Sequence, residues 1–233
     1  MAPSISSKRI RNISVSRPII YGNIAEKVSE KNPLPASSPS DHTHTWKVFL
    51  ADPLGNDLSQ YIKKVVFKLH DTYVNSSRSI ESPPFEVHET GWGEFEIVIK
   101  IYFQNDCGEK NITLYHHLKL HPYPTHADIQ RAGGDEEAAL RIAAAENVSG
   151  HVESIQYDEL VFNEPTERMF KLLTQKPGSL LPYKSDKTPF TKVAEREELD
   201  RIDKAMEEIN KLVEQRQIEF KKLEEERKKI VQL

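Results

Sequence analysis

The ten residues Glu94–Phe103, EFEIVIKIYF, decide how the chain folds. Phe95, Ile97, Ile99, Ile101 and Phe103 recur at every second position. A period of two places them on one face of an extended strand, whereas a helix would scatter them around its axis. The run NITLYHHLKLH, Asn111–His121, repeats the pattern with Ile112, Leu114, His116, Leu118 and Leu120. Asp106 to Lys110 lie between the two and read as a hairpin loop, so the strands are antiparallel neighbours.

Upstream, WKVFLAD (Trp46–Asp52) and YIKKVVFKLH (Tyr61–His70) are apolar, β-branched or aromatic runs. The turn-forming stretches DPLGND and NSSRSIESPP punctuate them. SEKNPLPASSPSD (Ser29–Asp41) is a Pro/Ser-rich loop, expected to be mobile. Downstream, the Ala-rich stretch 127–150 reads as an inserted short helix or a flexible excursion, and HVESIQYDELVF (His151–Phe162) as a returning strand. Pro165 and the pair Pro177-Gly178 bracket a short helix near 165–174. Short strands without long helices between them indicate a mainly β fold, an antiparallel sandwich.

The chain has 233 residues, a formal net charge of -4 and 37% hydrophobic residues. That suits one ordinary domain with extra elements poor in core residues. The lone Cys107 excludes an internal disulfide. No apolar run approaches the roughly 18 residues a membrane span needs. The N-terminus, MAPSISSKRIRNISVSR, lacks the apolar centre of a signal peptide, so the sequons at Asn12, Asn75, Asn111 and Asn147 read as chance matches. Lys8, Arg9 and Arg11 are too short a cluster for nucleic-acid binding and suit at most a weak nuclear signal.

The C-terminal part differs in kind. Of the 44 residues from Phe190, 23 are charged and none is Gly or Pro. Leu199, Ile202, Met206, Ile209, Val213, Arg216, Phe220, Leu223, Arg227 and Ile230 follow a strict 3-4 spacing, and eight of these ten are apolar. That narrow stripe is the seam of a coiled coil; a solitary amphipathic helix lying on the domain is the alternative. Arg216 and Arg227 on the seam point to a specific partner or register. The resulting division is a flexible tail over 1–17, a sandwich over 18–175 with an insertion at about 123–150, a linker over 176–191 and a coiled coil over 192–233.

Two stretches carry chemistry. HETGWGEF, His88–Phe95, brackets one of only two tryptophans with glycines just before the strongest strand. Gly91-Trp92-Gly93 therefore reads as a turn at one end of the sandwich, where glycine permits close backbone approach. LHDTY, Leu69–Tyr73, leaves another strand with an imidazole, a hydroxyl and a ring. If the two loops converge, Trp92 and Tyr73 wall a slot for a flat, uncharged group such as an amide. The bland reading is a tight turn with Trp92 folded on the sandwich edge.

YGN (Tyr21–Asn23), HTHTWKVF, YIKKVVFKLHDTY, PPFEVHETGWGEFEIVIKIYF and LVFNEPTE, in that order, resemble the YEATS domain family over about 18–122 and 151–175. The resemblance implies an immunoglobulin-like sandwich whose loops read acylated lysine on histone tails. It further implies a subunit of chromatin acetyltransferase and remodelling complexes, located in the nucleus, with the cytoplasm as the alternative. The family's H-x-[ST]-[FY] element falls on His70, Thr72 and Tyr73, and its G-[YW]-x-x-F element on Gly91, Trp92, Gly93 and Phe95. By resemblance, Tyr73 and Trp92 sandwich the acyl amide, the Thr72 hydroxyl and Trp92 backbone N–H contact it, and His70 and Phe95 line the slot. His42 and His44 in the first loop, and His117 where another branch carries an acidic residue, are candidate peptide contacts.

Four other readings compete with this one. His70-Asp71-Thr72 superficially supplies a catalytic triad, but adjacent residues of an extended segment face opposite ways and no nucleophile motif accompanies them. The histidines offer neither a Cys pair nor HExxH, and His116 on an apolar face reads as a satisfied core histidine, so no metal or other cofactor is expected. A methyl-lysine cage wants three rings and a carboxylate. A scaffold docking through the coiled coil to other subunits is compatible with reading. Neither direct nucleic-acid readout nor membrane contact is expected.

Overall fold

A computed structural model describes residues 8–175, 181–185 and 188–231. The alternation in EFEIVIKIYF becomes strand β6, Glu96–Phe103, in which Ile97, Ile99 and Ile101 are fully buried. It pairs antiparallel with β3 (Ile62–Lys68) on one side and β7 (Ile112–His117) on the other. Adding β4 (Ser77–Ile80) gives a sheet ordered β4-β3-β6-β7. The second sheet, β5-β2-β1-β8, contains β1 (Ser14–Lys27), β2 (His44–Ala51), β5 (Phe85–Gly91) and β8 (His151–Asn163). Ile19, Tyr21 and Ala25 of β1 and Trp46, Val48 and Leu50 of β2 join β3 and β6 in one core. The result is an antiparallel sandwich with two four-stranded sheets.

Three strands lie where the sequence reading had none. In β1, Pro18 and Gly22 read as strand breakers. Gly22 is nevertheless required, because a Cβ there would lie 2.1 Å from the Ser154 carbonyl oxygen of β8. Strand β4 lies inside the stretch read as a turn, and its polar edge position removes the apolar alternation that would have announced it. Strand β5 follows two prolines and carries the first half of HETGWGEF.

The tail is also shorter than expected. Residues 14–17 belong to β1, and the Lys8 carbonyl accepts from Glu167 N while Ile10 N donates to the Pro165 carbonyl. Lys8 pairs with Glu167 at 3.3 Å and Arg9 with Glu109 at 3.1 Å, so two of the three basic residues fasten this segment to the sandwich. Residues 1–7 of the expected tail, and 176–180 and 186–187 of the expected linker, lie outside the described residues.

The insertion forms two capped helices, α1 (His126–Arg131) and α2 (Glu136–Glu146). Thr125 and Asp128 make a reciprocal capping box, and Asp135 accepts from the N–H groups of Glu137 and Ala138. Helix α3, Glu167–Thr174, begins at N-cap Thr166 and buries Met169, Leu172 and Leu173. Residues from Leu181 onward form a separate compact unit dominated by the 40-residue helix α4, Lys192–Val231. Its apolar stripe, Leu199, Ile202, Met206, Ile209, Val213, Phe220 and Leu223, is exposed along its length. The side chain of Ile230, the last of the expected seam, lies outside the described residues.

A polar bridge crosses the core. Asn23 of β1, 0% exposed, accepts at Oδ1 from His116 Nε2 at 2.8 Å and from Lys119 N at 2.9 Å. Its Nδ2 donates to the Lys119 carbonyl at 2.7 Å. His116 is the core histidine expected, but only half satisfied: its Nδ1 has no hydrogen-bond partner among the described residues. Burial, helped by His117, holds its pKa down to about 4 from 6.5. Burial likewise lowers His44 to about 4, with His121 and Lys27 adding to the effect and Glu94 opposing it.

Both rings stay neutral in the folded chain between those limits, while the unfolded chain takes up protons there. The stability that these two rings contribute is therefore complete above about 6.5 and falls as pH drops from 6.5 toward 4. At about 1.36 kcal/mol per pK unit, each ring accounts for a loss on the order of 3 kcal/mol. Urea melts at pH 7, 5.5 and 4.5 should show a steadily falling midpoint; a flat midpoint over that range contradicts this account.

Candidate functional site

The β3–β4 and β5–β6 connections meet the β1–β2 loop at one end of the sandwich and enclose a cleft of about 590 Å³. Beyond β3 the chain reverses through a turn in which Tyr73 N donates to the His70 carbonyl at 3.1 Å, while Leu69 N donates to the Ser76 carbonyl at 2.7 Å. Arg78 of β4 holds the far side. Its guanidinium donates to the carbonyls of Asn75 at 2.6 Å and Val74 at 2.8 Å and pairs with Glu89 of β5 at 2.5 Å. Asp71 points elsewhere, to an ion pair with Lys68.

His70 Nδ1 lies 3.0 Å from Thr72 Oγ1. With Nδ1 also accepting from Thr72 N at 3.4 Å, the hydroxyl donates to the same nitrogen and keeps its lone pairs for a ligand donor. So His70 is oriented by the hydroxyl two residues on, not by the adjacent carboxylate that a triad would use.

The rings form a nest around Phe95. Tyr73 lies 5.7 Å from it, His70 5.9 Å, and Trp46 packs edge-on at 6.0 Å from below. Trp46 is buried and also meets Tyr73 edge-on at 5.9 Å. Its indole N–H approaches the phenol closely enough to favour the phenolate, without the geometry of a hydrogen bond. Burial dominates and raises the Tyr73 pKa. The Tyr73 hydroxyl donates to the Thr90 carbonyl at 2.9 Å, which fixes the ring as a wall.

The reading of Gly91-Trp92-Gly93 as one turn needs correcting. Gly91 is the last residue of β5, opposite His44 of β2; the bend begins at Trp92. The two glycines also differ in purpose. A Cβ on Gly91 would lie 2.5 Å from the Tyr73 hydroxyl, so glycine there makes room for the wall. A Cβ on Gly93 would meet nothing within 4 Å, so its surroundings stay open to a visitor.

Trp92 is 65% exposed and stacks on no other ring among the described residues. The bend beneath it is held by Glu94, whose carboxylate accepts from Lys119 Nζ at 2.6 Å, Leu120 N at 2.7 Å and His121 N at 3.0 Å. Burial opposes ionisation of Glu94, but the ammonium and the two N–H groups outweigh it and lower its pKa.

His70, Thr72, Tyr73, Gly91, Trp92, Gly93 and Phe95 all line the cleft, and so does His42, whose Nδ1 lies 2.7 Å from Thr90 Oγ1. Two expected peptide contacts do not. His44 points into the sandwich and packs edge-on against His121 at 5.1 Å, because its strand alternates with Thr45 outward. His117 lies at the end of β7, 4.0 Å from Glu94, outside the lining. Sequence reasoning missed Trp46, Arg78 and Glu89. Arg78 sits in a stretch that reads as a turn, and Trp46 reads as an ordinary strand residue. No group of three or more His, Cys, Asp or Glu side chains among the described residues could hold a metal ion.

A family model described as the YEATS family matches residues 41–122. Protein AF-9 homolog of Kluyveromyces lactis is 49% identical over 215 residues, covering 90% of this chain and 91% of that one. Two solved structures, named as the Yaf9 YEATS domain bound to H3K27ac and the Yaf9 YEATS domain recognizing an H3K122suc peptide, superpose with TM-scores of 0.57 and 0.55. They are 46% and 45% identical to this chain, and each superposition covers 73% of it and all of the other.

Proposed function

This chain belongs to the YEATS family, and on that premise we propose that its aromatic cleft reads acylated lysine on histone tails. The observation that carries the reading is the pairing of a fixed wall with an open one. Tyr73 is pinned through its hydroxyl, whereas Trp92, largely exposed, lines the same cleft and is free to close on a ligand. An acyl amide fits between two such rings. Its N–H donates to the Thr72 hydroxyl and its carbonyl accepts from the Trp92 N–H, which has no acceptor among the described residues. His70 and Phe95 line the cleft beside the amide, and His42 is available to the peptide.

Electrostatics favours a neutral amide over a cation. Two carboxylates line the cleft, but Glu89 is paired with Arg78 and Glu94 with Lys119. An ammonium entering the cleft would lose water and gain no uncommitted charge. A conjugated acyl group such as crotonyl should stack well between the rings. The role is binding, with no chemical step.

The exposed seam of α4 is the second half of the proposal: a coiled coil that docks the protein to other subunits of chromatin acetyltransferase and remodelling complexes in the nucleus. The sandwich at 8–175 then acts as the reader and α4 as the tether. A titration with otherwise identical peptides carrying unmodified, acetylated, crotonylated or trimethylated lysine tests the reading. The acetylated and crotonylated peptides should bind and the other two should not; equal binding by all four refutes acyl recognition.

A further inference from the structure

A second depression, about 570 Å³, abuts the cleft on the outer face of the sheet β5-β2-β1-β8. The two share Ser37, Ser38, Glu89 and Thr90, so one opens beside the other. Its bed is two cross-strand rows. Thr90 stands opposite Thr45, and Thr45 opposite Glu26; one step along the strands, His88, Lys47 and Ile24 repeat the arrangement. Its wall is the β1–β2 loop through Pro35, Ser37 and Ser38.

That wall is tied down. Asn32 Nδ2 donates to Thr45 Oγ1 at 2.9 Å, Ser38 N to the Pro35 carbonyl at 2.9 Å and His42 N to the Pro39 carbonyl at 3.3 Å. The loop that composition marks as Pro/Ser-rich is therefore a built side of a groove. A groove with fixed walls does not charge its occupant for ordering them.

Resting on the acyl-lysine reading of the cleft, we infer that this groove seats the residues next to the acylated lysine in an extended peptide, with a cationic side chain against Glu26. Continuity with the cleft identifies the occupant as the same peptide. The groove crosses the strands, and neighbouring strands lie about 4.8 Å apart, so Glu26 stands roughly 10 Å from Thr90 at the cleft mouth. An extended chain advances about 3.3 Å per residue. The residue that reaches Glu26 is thus about three positions from the acylated lysine.

Charge agrees. Glu26 faces the groove with one ammonium, Lys47, which is paired with Glu86 at 3.5 Å; Glu89, opposite the core residue Trp46, turns its carboxylate to the sandwich side. Glu89 is committed to Arg78 at 2.5 Å. Among the described residues the ion pair of Glu26 is with His151, at 3.4 Å, and it is ionic only when the ring is protonated. Hydroxyls of Ser37 and Ser38 suit a passing peptide backbone, and Ile24 and Pro35 offer apolar surface for small side chains.

The test compares a capped crotonyl-lysine, with no flanking residues, against ten-residue crotonylated peptides carrying one arginine at two to five positions on either side. Binding is read by chemical-shift titration of the full chain. The arginine about three positions away, on one side, should bind best, by about two- to fivefold at low salt. Glu26→Gln should flatten the scan and Glu26→Lys should invert it, while both leave the capped amino acid unchanged. A scan flat in the wild type, or one that survives Glu26→Gln, overturns the groove. Failure of capped crotonyl-lysine to bind instead overturns the cleft reading on which the groove rests.

Discussion

Trp92→Ala should reduce affinity for a crotonylated peptide about thirty- to a hundredfold and leave the folded state intact. An indole face buried by ligand represents about 2–3 kcal/mol of apolar contact, and each 1.4 kcal/mol is tenfold in affinity. The free protein has little to lose, because Trp92 is largely exposed and packs against no other ring among the described residues. Its urea midpoint should therefore move by no more than about 0.5 kcal/mol equivalent. Trp92→Phe should recover part of the affinity, since a smaller ring still supplies a wall. Calorimetric titration on both variants decides the matter, and an affinity within threefold of wild type for Trp92→Ala removes the aromatic slot from the mechanism. Phe95→Ala would be a poorer probe, because that ring also supports Tyr73, His70 and Trp46.

The second large effect is on stability. Asn23→Ala should destabilise the sandwich by about 3–5 kcal/mol, because three buried groups lose the one amide they share at once. His116 Nε2, Lys119 N and the Lys119 carbonyl all meet the Asn23 amide. Asn23→Asp should also destabilise, since a carboxylate cannot donate to the Lys119 carbonyl. The damage should reach the cleft as well: the residues after Lys119 supply the two backbone N–H groups that hold Glu94 and thereby the Trp92 bend. Urea denaturation read by tryptophan fluorescence measures the first effect and acyl-peptide titration the second. A loss below about 1 kcal/mol would show that the bridge contributes no more than an ordinary hydrogen bond.

The strands that read most clearly in the sequence were those with one apolar face. EFEIVIKIYF became β6 almost residue for residue, because alternation is a local property of the chain. Strand β1 stayed hidden for the opposite reason. Its Pro18 and Gly22 break the local pattern, and only the neighbouring β8 backbone explains why glycine is needed. The short polar β4 has no pattern to break.

The candidate site divides the same way. HETGWGEF and LHDTY by themselves indicated loops bearing a ring, a hydroxyl and an imidazole, and the family resemblance paired them. Spacing along one strand could not say that Gly91 makes room for the Tyr73 hydroxyl, that Trp46 lies beneath both Tyr73 and Phe95, or that His44 turns inward while His42 reaches the cleft. Those facts depend on the register between β2 and β5 and on where three loops meet. The sequence determined which segments are extended, which face of each is apolar and which residue types stand at the loop ends, because these follow from periodicity and local backbone preference. Only the tertiary structure decided which of those residues face one another, because strand register and loop convergence are set by packing between segments distant in the chain.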